Sequence, residues 1–408
     1  MNEDFGFSPQ WRSAHRLAGR TVMQIMPSLD PADADHAAID VVGALAEAGA
    51  RALVAGPSGP LVSELQAKGG IWIPFPASTK NPIAMALNVR RLRQILQKER
   101  VELVHVRSRP AAWVAWAATR STKTALVTSL QQITPGHGLL QQRYNSIMAR
   151  GDIVIAGSRY AASMIPALYP WAVDRISLIR PGVDFRGLAP SAIGAARVQA
   201  LRQTWQVAPD ERIILLAGRP SLWKGHKVLI EAARLLAGQG RTDIKVILTG
   251  ETKGKTGPVR EIEQAIAKAG MEGTVRWTGP CADMPAALLA AAAVVIPSLE
   301  AEAFGRIAVE AQAVGTPVIV SDLGAVPETV LAPPDVEPAR RTGWRVPAND
   351  PISLAEAIAE ALALGASSRD ALAARARKQV WERFSIDRMA RQTLVAYAAL
   401  LDRGDQMS

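Results

Sequence analysis

Short apolar runs separated by longer stretches of helical period recur along the whole chain, and this alternation constrains the fold more than any other feature. Runs at 21–26, 52–55, 71–74, 103–106, 125–128 and 153–156 fill the first half, and runs at 213–217, 246–249, 275–278, 294–297 and 317–320 the second. Such short runs suit strands buried on both faces, and intervening stretches such as 37–48 suit the helices that cover them. The pattern is that of a parallel sheet wrapped by helices, met twice in series. The expected fold class is therefore α/β, with two Rossmann-like doubly wound domains facing a cleft. A chain of 408 residues is long enough for two such cores. Between the halves, Pro181, Gly182, Gly187, Pro190 and Gly194 form a cluster of breakers suited to a hinge. The expected division is a leader over 1–20, a first domain over 21–187, a second over 188–384 and a closing segment over 385–408.

With 49% hydrophobic and 21% charged residues, the chain has the apolar content of a folded protein rather than a disordered one. The single cysteine, Cys281, cannot form an internal disulfide and has no Cys/His metal spacing around it, which fits a reducing compartment. Residues 1–13 carry acids and scattered polar groups, unlike a signal peptide. The longest apolar stretch, 286–296, has 11 residues, whereas a bilayer-spanning helix needs roughly 20. The expectation is a cytoplasmic protein.

The formal charge of +10 is unevenly spread: residues 1–187 hold 21 Lys/Arg against 13 Asp/Glu, and residues 188–408 hold 26 against 24. The densest basic run extends from Arg90 to Lys123. A field of this sign favours anionic partners such as acidic lipid headgroups or phosphorylated glycans. No nucleic-acid module and no basic stripe interleaved with aromatics is present, so no nucleic-acid partner is expected.

Two motifs carry chemistry. In Glu302-Ala-Phe-Gly-Arg-Ile-Ala-Val-Glu310 two carboxylates stand eight positions apart, after an apolar run and before Ala-rich sequence. A helix starting near Phe304 would aim the N–H groups of Phe304, Gly305 and Arg306 at an anion, with Gly305 allowing close approach. Glu310 would then be placed to accept hydrogen bonds from a ribose diol. The second motif, Gly218-Arg219-Pro-Ser-Leu-Trp-Lys224-Gly225, directly follows the run 213–217. Arg219 offers a forked donor and Lys224 a compact charge, together suited to a leaving diphosphate without a metal ion. The spacing is not that of a P-loop.

These motifs in this order, with Gly315-Thr-Pro-Val318 and Glu328 downstream, resemble the family 4 glycosyltransferases of the GT-B fold. Lys80-Asn81-Pro82, His105-Val-Arg107-Ser-Arg109-Pro110, Tyr144 to Asp152, Asp283-Met-Pro285 and Met389 extend the likeness over nearly the whole chain, toward the alphaproteobacterial branch that includes lipopolysaccharide core mannosyltransferases. The resemblance implies that Arg219 and Lys224 bind the donor diphosphate, that Glu302 and the amides after it hold the sugar and β-phosphate, and that Glu310 holds the ribose. Gly218 would line the donor site, and Lys80, Asn81, Arg107, Arg109 and Gln131 would contact acceptor or sugar. It further implies retention of anomeric configuration, no cofactor and no metal. The donor would be a nucleotide diphosphate sugar, GDP-mannose first and a UDP-sugar next. The acceptor would be a lipid-linked or lipopolysaccharide glycan, and the basic first domain would dock peripherally on the anionic inner face of the cytoplasmic membrane. Residues past Phe384 would form the helix that crosses back to the first domain.

Two stretches depart from the family pattern. Pro31 to His36 stands where the family has a Gly-Gly turn, and Gln131 stands where it has His; an amide can hydrogen-bond a sugar hydroxyl but cannot share a proton as imidazole does. His137-Gly138 follows six residues on. Asp33-Ala34-Asp35 mimics the Asp-x-Asp metal motif of another glycosyltransferase fold and reads here as coincidence. His36 and His105 read as loop and core histidines, and Trp113 and Trp116 as helix packing. The competing reading, from a different class, is a degenerate relative that binds nucleotide sugar or glycan as a partner subunit without turnover. An epimerase or phosphorylase on the same fold lacks the expected acid/base residues or pyridoxal lysine.

Overall fold

A computed structural model describes residues 16–30, 33–130, 138–252, 254 and 257–406. The chain divides into two units, one of residues 1–182 with 386–408 and one of residues 183–385. The changeovers thus fall slightly before 187/188 and just after 384/385. Residues 16–20 pack with the first unit rather than standing apart as a leader: Leu17 is fully buried, and Arg16 pairs with Asp402 at 2.8 Å.

The first unit is a seven-stranded sheet of β1 (Thr21–Ile25), β2 (Arg51–Gly56), β3 (Ile71–Pro74), β4 (Leu103–Val106), β5 (Ala125–Leu130), β6 (Ile153–Ala156) and β7 (Ile176–Leu178). The strand order is β3-β2-β1-β4-β5-β6-β7, and every pairing is parallel. Helices α1 (Asp33–Glu47), α2 (Pro82–Lys98) and α3 (Arg109–Thr119) are among those that connect the strands. The apolar content of β1 and β4, every residue of which is buried, requires cover on both faces. The C-terminal helix Ile386–Gln406 supplies part of it, placing Leu394, Tyr397 and Leu401 among the buried residues of β1, β2 and α1.

The second unit repeats the plan with six strands: β8 (Arg212–Ala217), β9 (Ile244–Thr249), β10 (Val275–Trp277), β11 (Ala291–Ile296), β12 (Val318–Ser321) and β13 (Trp344–Val346). Their order is β10-β9-β8-β11-β12-β13, again with parallel pairings. Helices α4 (His226–Gly238), α5 (Gly257–Ala269) and α6 (Arg306–Val314) follow β8, β9 and β11. The strand order reverses between β1 and β4 in one sheet and between β8 and β11 in the other. Connections leave such a point in opposite directions, and the crevice opened at the carboxyl ends is where ligands of doubly wound sheets bind. β7 and β13, three-residue strands at sheet edges, were not expected from the sequence, whereas β10, equally short and also at an edge, was.

Candidate functional site

The loops after β8 and β11 meet at the reversal point of the second sheet, and glycines make the meeting possible. Gly225 has φ +71°, and a Cβ there would stand 1.8 Å from the carbonyl oxygen of Pro297. No other residue fits, so the turn Leu222–Lys224 lies directly against the end of β11. The Leu299 N–H donates to the Trp223 carbonyl at 2.7 Å and closes the contact. The same closeness lets α4 begin directly after Gly225, against the sheet. Gly250, which the sequence reading passed over, is equally forced: a Cβ there would come within 2.1 Å of the Gly218 carbonyl oxygen.

This framework brings Lys224 and Glu302 together. Lys224 Nζ lies 2.7 Å from Glu302 Oε1, with the two side chains 19% and 13% exposed. Its stem runs past Gly218, where a Cβ would touch its Cδ and Cε at 3.6 Å, and its ammonium sits 4.5 Å from the centre of the Trp223 ring. Buried Ser298 also donates to Glu302 Oε1. With both bonds on one oxygen, Oε2 has no donor among the described residues. Ser298 was not singled out from sequence, and only its place between the strand and the carboxylate would have flagged it. Arg219, on the same loop as Lys224, is exposed and makes no ion pair or hydrogen bond among the described residues.

Helix α6 begins at Arg306, two positions later than the sequence suggested, because Gly305 is the cap residue in a left-handed conformation with φ +84°. Such a φ is compatible with glycine at the turn into the helix and keeps Phe304 outside it. The Phe304 ring packs on Phe384 at 5.5 Å between centroids, so this side chain serves as an apolar anchor. The preceding segment is pinned by a parallel bridge between Glu302 and Gly324 and by the Ala325 N–H donating to the Glu302 carbonyl at 3.0 Å. Arg306 Nε donates to Glu310 Oε1 at 2.6 Å, one helical turn on, and Glu310 is buried. Lys224, Glu302, Gly305, Arg306 and Glu310 thus share the loops and helix start at the carboxyl ends of β8 and β11. The outward N–H groups of a helix's first turn, with the positive end of its dipole, suit a phosphate there.

In the first unit the candidates stand on separate loops: Lys80 and Asn81 precede α2, whereas Arg107 follows β4 and Arg109 opens α3, the helix against which α2 packs. Asn81 is the cap of α2, its Oδ1 accepting from the N–H groups of Ile83 and Ala84 at 2.9 and 3.2 Å. Lys80 is exposed. Arg107 donates to Gln24, itself fully buried and bonded to the Ala38 carbonyl at 2.9 Å. The charge of Arg109 is felt by Tyr144 and Tyr169, whose phenols burial otherwise pushes up. Gln131 and His137 lie outside the described residues. So do residues 31–32 and the side chains of Asp33 and Asp35, and no group of three or more metal-ligating side chains occurs among the described residues. His105 is a core residue: its ring nitrogens bond Tyr397 Oη at 2.5 Å and Ser129 Oγ at 2.7 Å, and burial holds it well below the usual imidazole range. Trp113 and Trp116 pack edge to face within the core of the unit.

The family model described as Glycosyltransferase Family 4 matches residues 36–186, and the model described as Glycosyl transferases group 1 matches residues 198–379. The chain carries a family 4 glycosyltransferase domain followed by a group 1 glycosyltransferase domain. The D-inositol 3-phosphate glycosyltransferase of Xylanimonas cellulosilytica is 33% identical over 261 residues, which is 63% of this chain and 59% of that relative. The corresponding protein of Pseudarthrobacter chlorophenolicus is 34% identical over 61% of this chain and 56% of its own length. The chain therefore matches less than two thirds of the length of these relatives. Among solved structures, a glycosyltransferase from Rickettsia africae is 26% identical with a TM-score of 0.83, covering 94% of this chain and 99% of that one. WaaG, a glycosyltransferase involved in lipopolysaccharide biosynthesis, shares the fold at 16% identity and a TM-score of 0.65, over 91% of this chain and 98% of its own. The two Rossmann-like domains are those of the GT-B class.

Proposed function

We propose that the chain is a retaining glycosyltransferase that moves a hexose, mannose first, from a nucleotide diphosphate sugar to a lipopolysaccharide core or other cell-envelope glycan. The observation that carries the reading is Lys224 paired with Glu302 at 2.7 Å beside the start of α6, a cation, a sugar-binding carboxylate and a helix dipole gathered at one switch point. The donor diphosphate lies against Lys224, Arg219 and the first turn of α6, Glu302 holds the sugar, and Glu310 the ribose. Charge on the departing diphosphate is met by these cations, so no metal or cofactor is invoked. In front-face transfer the anomeric C–O bond to phosphate breaks as the acceptor oxygen bonds to the same face of the same carbon. The acceptor proton passes to the leaving phosphate oxygen, and orientation and charge stabilisation supply most of the rate.

The positive excess of residues 1–187 supports an anionic acceptor. The relatives are named for D-inositol 3-phosphate, an anion, and WaaG for lipopolysaccharide biosynthesis; HepE of Anabaena is seen with UDP-glucose. Donor and acceptor are resolved by titrating the protein with GDP- and UDP-sugars, then following sugar release with and without acceptor extracts or inositol phosphate. Turnover that falls about 10²-fold in Lys224→Ala is expected. Donor binding with no release under any condition would favour the degenerate, non-catalytic reading, and an unchanged rate would remove the lysine from the mechanism.

We also propose that the chain works at the cytoplasmic membrane surface, docked through α2. That helix exposes Ile83 (75%) and Leu87 (59%), with Arg90, Arg91 and Lys98 exposed further along it, an apolar and basic combination suited to acidic lipid. No helix among the described residues is long and apolar enough to cross a membrane. Binding to anionic vesicles should weaken when Arg90 and Arg91 become Glu and when salt is raised; vesicle binding indifferent to both would end the docking role.

A further inference from the structure

The segment that follows β11 ties together the two charged residues at the end of the sheet. The Pro297 carbonyl oxygen stands against Gly225, the Leu299 N–H donates to the Trp223 carbonyl at 2.7 Å, and between them the Ser298 hydroxyl donates to Glu302 Oε1. Ser298 is only 3% exposed. Its partner differs in kind from those of other buried hydroxyls in the same unit. Thr249, Thr316 and Thr329 donate to the backbone carbonyls of Gly279, Leu288 and Val326, which is all that satisfying a buried hydroxyl requires. A hydroxyl placed on a carboxylate makes a charge-assisted bond and fixes how that carboxylate is aimed.

The two partners of Glu302 Oε1 differ in freedom. Lys224 carries three donors at the end of a flexible four-carbon stem, so its ammonium can turn toward a diphosphate. Ser298 has one heavy-atom torsion and is buried at the end of the strand. The Glu302 backbone is fixed as well, by its bridge to Gly324 and by the Ala325 N–H. We infer that Ser298 is a positioning residue for donor-sugar recognition: it holds Oε1 of Glu302 whether or not Lys224 is engaged by phosphate, and so leaves Oε2 to the sugar hydroxyls. Without it, a carboxylate only 13% exposed would lose its last donor among the described residues as Lys224 met the diphosphate, and would be free to turn away. Neutralising phosphate and recognising sugar are thereby kept separate, although the two charged groups lie 2.7 Å apart. This deepens the donor-site reading and rests on it.

The test compares nucleoside diphosphates with their sugars: UDP with UDP-glucose and GDP with GDP-mannose, titrated into wild type, Ser298→Ala, Ser298→Thr, Glu302→Ala, Lys224→Ala and the double variant Ser298→Ala with Glu302→Ala. For the base that wild type binds, Ser298→Ala should keep diphosphate affinity within about three-fold and lose about 10-fold or more for the nucleotide sugar, the size of one hydrogen bond to a charged group. Ser298→Thr retains the hydroxyl and should restore nucleotide-sugar binding. In the Glu302→Ala background, Ser298→Ala should cost less than about two-fold further, because the bond it removes runs to that carboxylate. If the alanine variant does not fold, Ser298→Cys fills the space with a weak donor and carries the same comparison. Equal losses for diphosphate and nucleotide sugar would overturn the inference, because Ser298 would then only support the loop. So would unchanged nucleotide-sugar affinity in Ser298→Ala alongside weakened diphosphate binding in Lys224→Ala, an outcome that leaves the donor site standing. Failure of wild type to bind any of the four ligands would remove the donor site itself and this inference with it.

Discussion

The two units share a parallel, doubly wound plan, yet they hold their functional groups in opposite ways. In the second, charged side chains are locked into pairs by loops that touch through glycine: Lys224 with Glu302, and Glu310 with Arg306 beside Gly305. In the first, the candidate residues sit on separate loops of the sheet and are engaged locally, with Asn81 capping α2, Arg107 bonded to Gln24 and Lys80 exposed. Under the proposed function, a half that recognises a constant group, the nucleotide diphosphate, can be built from backbone in close contact and tolerates little change, and a half that recognises a variable acceptor is built from side chains, with changes that should be graded.

The hardest test of this contrast is a single methyl group. Gly225→Ala would combine a left-handed backbone with a contact to the Pro297 carbonyl that cannot exist, and should cost about 2–5 kcal/mol together with loss of donor binding. Gly187, near the changeover between the units, has open space around its Cβ position, and Gly187→Ala should stay within about 0.5 kcal/mol. Urea unfolding of both variants decides the matter. Equal, small effects would mean that the β8 and β11 loops are not locked together.

Each unit also buries a histidine, and the two differ in how they are satisfied. His105 is bonded by Tyr397 and Ser129, whereas neither ring nitrogen of His226 has a well-formed hydrogen bond among the described residues. Burial lowers His226 from 6.5 to about 4, an effect the nearby Ser221 backbone only partly offsets. With the folded value depressed, the unfolded chain takes up the proton first on acidification. Stability is therefore fully present above about pH 6.5 and is lost as the pH falls toward 4, by about 2 kcal/mol at pH 5 from this residue alone. His226→Gln should flatten the dependence of the unfolding midpoint between pH 7 and 5, leaving the part due to His105. An identical slope in the variant would show that His226 titrates as it does in solvent.

The same contrast explains what could be read from the sequence. Most strands of both sheets were visible as short apolar runs, whereas the three-residue edge strands β7 and β13 were not read. The loops of the proposed donor site were legible because their constraints are local: Gly225 before α4 and Gly305 before α6 advertise close backbone approach. The start of α6 was misplaced at Phe304 because a left-handed cap at Gly305 has no signature distinct from a glycine inside a first turn. Gly250 was missed because it serves Gly218, distant in the chain, and Ser298 because a serine four residues before Glu302 carries no sign that its hydroxyl turns to that carboxylate. The basic run from Arg90 to Lys123 is divided among three places: Arg90, Arg91 and Lys98 lie on α2, Arg107 and Arg109 at the carboxyl end of β4, and Arg120 and Lys123 beyond the end of α3, whose length puts about 16 Å of helix between Arg109 and Arg120. Linear charge density shows no folding back of the chain.

The smallest expected effect separates scaffold from contact in the first unit. Asn81 has a structural duty, since its Oδ1 receives two N–H groups at the start of α2, and Asn81→Ala should cost about 1 kcal/mol. Asn81→Asp preserves the acceptor oxygen of the cap and should restore stability, while replacing the amide donor with a negative charge. If Asn81 also touches the acceptor, transfer to an anionic acceptor should stay impaired in the aspartate variant even though the melting temperature has recovered, and the KM for acceptor should rise while that for donor holds. If activity returns together with stability, Asn81 is a helix cap and nothing more, and the acceptor must be held by residues such as Lys80 and Arg107 on the neighbouring loops.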